Sequence, residues 1–388
     1  MKLESLAAML VRCLALGGAA LLAACGGGSG TTAMNPLAQN SNLQSPPVND
    51  KGLWIANGTN VLEYLPAQLT AGESAAAPHR MIISSCFGAP QGVTFDAHGN
   101  LWVMDPSGMV NGSPTPALFE FSAAQLAALG TNNAPTPVLT ITSTALNFPQ
   151  QSVFDQQGNQ WVTDHNNNTV LVFTAAQLAQ IGVATLTPQV MIASGSFNGP
   201  LGIVFDASGD LWIANNGGVP GGNGSMSAAG TTIVEFLAAH LPQPATSGTI
   251  TPTLTPDVTL TTDAAESLQA PWALAFDAQG DLWASNANAP FTLVEFTVDS
   301  LLSSGTPTPV VTITPAMDAG IPTLNSPNGI CFDNVGDLAA MNSAGAFGFV
   351  LFGANQLTSA TSTPSVFIVG SATTLNAPAG CNFGPMIQ

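Results

Sequence analysis

An all-β fold is what this 388-residue sequence predicts: a six-bladed β-propeller, each blade four-stranded, with the ring closed by its C-terminal strand. Three observations predict it. The unit Phe-Asp-x-x-Gly-(Asn/Asp)-Leu-Trp fills residues 95–102, 154–161 (with Gln160 in the Leu place), 205–212 and 276–283, and returns at 332–339 with Ala339 in place of Trp. A second unit, aromatic-x-x-x-x-Leu, occurs six times, beginning at Tyr64, Phe121, Phe173, Phe236, Phe296 and Phe352. Finally, Phe383 opens a copy of the first unit that stops before its Trp, while Trp54 closes a copy that has no Phe-Asp before it. The last strand therefore completes the blade that the first residues of the domain begin, and closure removes the free sheet edges.

Each element follows from local chemistry. In the first unit a short apolar strand such as Gly92-Val-Thr-Phe95 runs into Asp96-Ala-His-Gly99, where the carboxylate can bond turn amides and Gly accepts a positive φ. The strand Asn100-Leu-Trp-Val103 then returns. The second unit ends a third strand (Leu118-Phe-Glu-Phe121) and adds one helical turn. A fourth strand, as in Thr136-Pro-Val-Leu-Thr-Ile141, completes the blade. Recurrence at one turn position makes Asp96, Asp155, Asp206, Asp277 and Asp333 structural, and likewise Trp54, Trp102, Trp161, Trp212 and Trp283. Glu63, Glu120, Glu235 and Glu295 stand one place before the third-strand aromatic and read as outward-facing.

The string Pro-x-Gly-h-x-Phe-Asp-x-x-Gly-Asn-Leu-Trp-Val resembles the NHL-repeat propellers and their relatives, the gluconolactonase/senescence-marker group and the streptogramin B lyases. The resemblance covers residues 51–388. It implies fold strongly and activity weakly, since those relatives include lactonases, a lyase, hydrolases and binding modules.

Residues 1–24 read as a lipoprotein signal peptide. Lys2 and Arg12 precede an apolar run, 13–24, too short to span a bilayer, with Met1 or Met9 as the start. Leu22-Ala-Ala-Cys25 resembles the lipobox of bacterial lipoproteins, which implies cleavage before Cys25 and its lipidation (diacylglycerol, palmitate-type acylation). Gly26 in place of Asp implies, by the same resemblance, the outer membrane of a Gram-negative cell envelope. Residues 25–50 read as a flexible tether with a reach of about 25–30 Å. The precursor carries a formal charge of −18; without residues 1–24 the cations are Lys51 and Arg80 alone. So few cations exclude phosphate neutralisation, and no nucleic acid is expected as a partner.

Length variation marks a functional face. The distance from the second-strand Trp to the third-strand aromatic ranges from 10 residues (Trp54 to Tyr64) to 24 (Trp212 to Phe236), while the hairpin between the first two strands is constant. Those variable loops share a face with the loops between blades, around one channel mouth, and scaffolded loops carry binding sites. The residues ending each second strand belong there: Asn57, Asp105, Asp164, Asn215, Asn286 and Asn342. Their oxygens suit Ca or another divalent cation, and equally suit bonding to turn amides. Ligand-binding candidates are Trp272, the aromatic outside the repeat register, with His165, Gln91 and Asn328. Lactonase-like relatives imply a Glu in the channel, which the blade-opening positions lack. Streptogramin lyases imply a channel His, for which His165 is the candidate. No Gly-x-Ser-x-Gly elbow, phosphate loop or Cys-x-x-Cys pair is present. Of Cys86, Cys331 and Cys381, free buried thiols are expected, with Cys86–Cys381 the one bridge weighed. The expectation is a monomeric, lipid-anchored binding or scaffold module for a glycan, peptide or envelope protein. The alternative is a metal-dependent hydrolase, lactonase or lyase.

Overall fold

The computed structural model describes residues 51–385 apart from 71–75, 131, 218–228, 245–247 and 358–362. The signal peptide, the tether and Cys25 lie outside the described residues. One compact unit covers Asn49–Gln388, and it is a propeller of six blades. Blade 1 runs, from the channel outward, Pro378–Pro385, Lys51–Asn57, Asn60–Tyr64 and Arg80–Ile82. Blades 2 to 6 follow in chain order with inner strands Gly92–Phe95, Pro149–Phe154, Pro200–Phe205, Pro271–Phe276 and Pro327–Phe332. The predicted closure is present: Leu53 pairs with Phe383 and Lys51 with Pro385, antiparallel.

The repeat unit is legible atom by atom. The turn aspartate accepts backbone N–H groups two and four residues on, as Asp96 Oδ1 does from His98 (2.9 Å) and Asn100 (3.0 Å). Its other oxygen accepts the indole N–H of its own blade's Trp: Trp102 to Asp96, Trp161 to Asp155, Trp212 to Asp206 and Trp283 to Asp277. The following Asn or Asp accepts the first amide of the helical turn, as Asn100 does from Ala123 and Asp281 from Val298. The turn glycines run from φ +77° at Gly99 to +89° at Gly336, a region that favours glycine. In blade 1 the Asp is replaced by Gly384, where a Cβ would run into the ring of Phe95.

The same unit stitches blade to blade. Each Trp meets the Phe of the next blade edge to face, Trp54 with Phe95 (5.8 Å), Trp161 with Phe205 (5.6 Å), Trp283 with Phe332 (6.2 Å) and so on. Five seams close this way. At the sixth, between blades 6 and 1, Ala339 replaces the Trp and a Cys331–Cys381 disulfide joins the two inner strands. This corrects the expectation of free thiols: Cys381 is bridged, and its partner is Cys331, while Cys86 is free, with burial pushing its thiol up to about 11. Cys331 lies on the inner strand of the adjacent blade at a Cα distance of 6.0 Å, whereas Cys86 lies beyond the outer strand. The bridge spans 50 residues, for which unfolded-chain entropy predicts about 4 kcal/mol of stabilisation. C331S is expected to lower the urea midpoint accordingly, and a midpoint insensitive to both C331S and reductant would refute that contribution.

A second correction concerns the glutamates. Glu63 and Glu235 are fully buried and Glu120 nearly so, because both faces of every blade are covered by neighbouring blades. Each stands directly across the strand pair from its Trp, as Glu63 does from Trp54 and Glu235 from Trp212.

The outer edges of blades 1 to 4 are also covered. The connection between third and fourth strands reaches back and lies parallel to the outer strand of the preceding blade. Asn132–Asn133 does so on blade 1 and Gly182–Thr185 on blade 2. Bridges from Ile250 and Thr253 cover blade 3, and Gly305 covers blade 4. These segments satisfy edge groups that would otherwise be open to pairing.

Candidate functional site

Strand direction sorts the connections onto two faces. The hairpin face carries the Asp-x-x-Gly turns, the start of Lys51–Asn57 and the end of Pro378–Pro385. The loop face carries the connections from second to third strand and from blade to blade. It holds the small hairpins Met109–Val110 with Ser113–Pro114 and Met317–Asp318 with Ile321–Pro322, and the long pair Leu211–Gly217 with Ala229–Phe236.

The second-strand residues singled out in the sequence form a ring of latches. Asp105 accepts backbone N–H from Gly88 (2.8 Å) and Ala89 (2.9 Å), and Asp164 from Asn147 (2.6 Å) and Phe148 (3.0 Å). Asn215, Asn286 and Asn342 each accept one such N–H and donate Nδ2 to Ser196, Ser267 and Thr323 carbonyls. Asn57 does the same with Asn376 and Thr374. All six are buried. Their oxygens hold the segment just before each blade-opening proline, so the bonding of loop amides is the chemistry the geometry shows.

The other candidates differ in accessibility. His165 is buried, with Nε2 donating to the Gly217 carbonyl (3.2 Å) and Nδ1 3.1 Å from Asn166 Oδ1, so it ties blade 3 to blade 4. Asn328 is buried beside Ser326 (3.2 Å). Gln91 is half-buried and donates Nε2 to Ala89 (3.2 Å). Trp272 is half-buried, while the five repeat tryptophans are at most 3% exposed. It packs, with Phe291 and Ile321, against the core between blades 5 and 6.

Backbone strain separates the faces in a way the sequence did not announce. Among the described residues nine non-glycines have positive φ: Asn111, Asn168, Glu266, Ala270, Phe291, Ala319, Ser326, Thr374 and Ala377. Every one lies in a loop-face connection. Such a conformation costs roughly 1–2 kcal/mol per residue, and it persists where surrounding structure enforces it. Five of the nine lie in the connections leading into and within blades 5 and 6. The only legible hint was their position beside proline, as at Ala270-Pro271, Ser326-Pro327 and Ala377-Pro378.

Charge separates the faces as well. The turn aspartates, the second aspartates Asp210, Asp281 and Asp337, and the four repeat glutamates all lie at the hairpin end of their strands. The loop-face acids are Asp105, Asp164, Asp263, Glu266 and Asp318, and neither Lys51 nor Arg80 is on that face. Two groups of three carboxylates lie close enough to share an ion, with oxygens within 4.8 Å: Asp206, Asp210 and Glu235, and Asp277, Asp281 and Glu295. Both are on the hairpin side.

Burial pushes the carboxyls of Glu63, Glu120 and Glu295 up to about 7; Arg80 opposes this at Glu63, and Asp96 and Asp281 add to it at the other two. Burial also raises Asp105, Asp164, Asp206 and Asp333. A carboxyl raised in the folded state holds a proton that the unfolded chain releases near its ordinary value. Folding therefore binds protons between that value and about 7, and stability falls as pH rises through this window. The thermal midpoint is expected to be higher at pH 5 than at pH 8. A midpoint that rises with pH over this range would contradict it.

No family model and no curated protein matches the chain. Among solved structures, a protein of unknown function from Bacteroides caccae aligns at TM-score 0.53 and 10% identity, over 87% of this chain and 100% of that one. A chain of a nidogen–laminin complex aligns at 0.52 and 13%, over 87% and 99%. A candidate 6-phosphogluconolactonase from Bacteroides fragilis aligns at 0.51 and 11%, over 86% and 98%. At these identities the likeness is one of fold, and the fold is the six-bladed β-propeller that the repeats describe.

Proposed function

We propose that this chain is a lipid-anchored cell-envelope propeller that works as a binding module through its loop face. The observation that carries the reading is the opposition of the two faces. Strain and variable loops are on one, and most of the acids and both ends of the described chain are on the other. An anchor at Cys25, joined through the tether to Lys51, would attach to the hairpin face and leave the loop face pointing away from the membrane. The Cys331–Cys381 bridge supports a compartment outside the cytosol, where disulfides persist.

The other reading is a metal-dependent hydrolase, lactonase or lyase. The observation in its favour is the pair of three-carboxylate groups, but both stand on the hairpin side, away from the mouth. A Ca²⁺-induced rise in melting temperature, reversed by EDTA and lost in D281N, would move the assignment toward it.

Two measurements test the proposal. Labelling cells with a palmitate analogue should mark the wild type and not C25S, and equal labelling would overturn the anchor. Lipid-free protein should co-sediment with purified envelopes, weakened by N288R and M317E on the loop face and unaffected by A97R on the hairpin face. The reverse pattern would overturn the loop-face assignment.

A further inference from the structure

We infer that the loop face over blades 5 and 6 is a saccharide site, with Trp272 as the platform on which a neutral sugar ring stacks. This deepens the binding-module reading and rests on it. Trp272 is the described tryptophan that stands outside the repeat position, and it is half-buried where the other five are buried. Phe291 and Ile321 are also half-buried and pack against the same core between blades 5 and 6.

The backbone fixes this group. Ala287 N–H bonds the Ala270 carbonyl (3.3 Å) and Asn288 N–H the Gln269 carbonyl (3.4 Å), which ties the Phe291 loop to the segment leading into Trp272. Asn216 Nδ2 donates to the same Ala270 carbonyl (3.0 Å) from blade 4. Ala270 and Phe291 both hold positive φ, at +51° and +60°. The structure thus carries strain in order to present a half-exposed aromatic, which is the pattern of a preorganised ligand clamp.

The chemistry of the rim selects the ligand class. Asn288 is exposed and Gln269 half-buried on the two connections tied together here, with side chains that both donate and accept, as sugar hydroxyls require; Gln269 Nε2 donates to Glu266 Oε2 (3.2 Å). Exposed Asp318 adds an acceptor, while Asp263 is taken up by the N–H groups of Ala265 and Ser267, and the absence of Lys and Arg from this face disfavours anionic ligands by charge. An aromatic face suits the C–H face of a pyranose, and amides and carboxylates at its edge suit the hydroxyls. A pocket for a charged group would need a counter-ion that this face lacks for anions.

The test uses the full mature chain with C25S, purified without lipid. Neutral hexasaccharides of glucose, galactose, mannose and N-acetylglucosamine are titrated by calorimetry and tryptophan fluorescence. At least one is expected to bind, with W272A weakening it tenfold or more. W272F, which preserves packing, should weaken it less, and H98A on the hairpin face should leave it unchanged. Circular dichroism of each variant separates loss of binding from loss of fold. Equal binding by wild type and well-folded W272A would overturn the inference, as would binding of choline or a neutral peptide with none of the sugars. Sugar binding abolished by H98A and untouched by W272A would overturn the loop-face reading itself.

Discussion

A chain cut before Ala377 is expected not to fold. The missing residues include the inner strand of blade 1, which pairs with Lys51–Asn57 along its length and supplies Phe383 to the core between blades 6 and 1. They also remove Cys381 and the bond from Gly380 N–H to the Gln91 carbonyl (2.7 Å), so blade 1 loses its inner-strand links to both neighbours. An open ring exposes an inner edge and two blade faces, and no shorter ring is available because each Trp needs the Phe of the next blade. The expected result is an insoluble product, or one with no cooperative thermal transition. A truncated protein that melts like its parent would refute closure through this strand.

Replacing Arg80 by Met should destabilise the molecule by about 3–5 kcal/mol. Arg80 Nη1 lies 3.0 Å from Glu63 Oε2, and both side chains are buried. Blade 1 lacks the turn that the other blades have, so Trp54 Nε1 and Glu63 Oε1 have no hydrogen-bond partner among the described residues. Arg80 is then the charge that makes a buried carboxylate tolerable there. Removing one member of a buried pair costs about 3–5 kcal/mol, because the other is left uncompensated. Glu63 already titrates near 7 through burial, with Arg80 holding it down, and without Arg80 it goes higher. The R80M defect should therefore shrink as pH falls from 8 to 5, and R80M/E63Q should recover most of the loss. A pH-independent defect, or one that E63Q leaves untouched, would locate the effect in the packing of the Arg80 stem instead.

The fold was legible because nearly every residue of the repeat has a contact to make. Asp meets Trp, Trp meets the next Phe, and Asn or Asp meets the helical turn, so the spacing could not drift. The glutamates were misjudged by a rule that applies to sheets with one wet face. Alternation assigns the neighbour of a buried aromatic to solvent, yet a blade sandwiched between two others has no such side. The disulfide was missed for a similar reason. Distance along one blade argued against Cys86 with Cys381, but the partner came from the inner strand next door, 50 residues away in sequence. At the mouth, the Asp and Asn positions were visible and their amide-bonding geometry was one of two readings. The strain near Trp272 showed only as a neighbouring proline, at Ala270-Pro271 and Pro290-Phe291, which does not by itself announce a left-handed backbone.

Lys51 and Pro385 face each other at one end of blade 1, and the strand from Lys51 runs inward between two antiparallel partners. A pull transmitted through the residues before Lys51 acts along that strand, perpendicular to its hydrogen bonds. The bonds to Pro378–Pro385 and to Asn60–Tyr64 share such a load in parallel, as in shear, and do not open one at a time. The seam that bears the force is the one whose inner strand is covalently fixed to the next blade. The join that closes the ring is thus also its mechanical strong point.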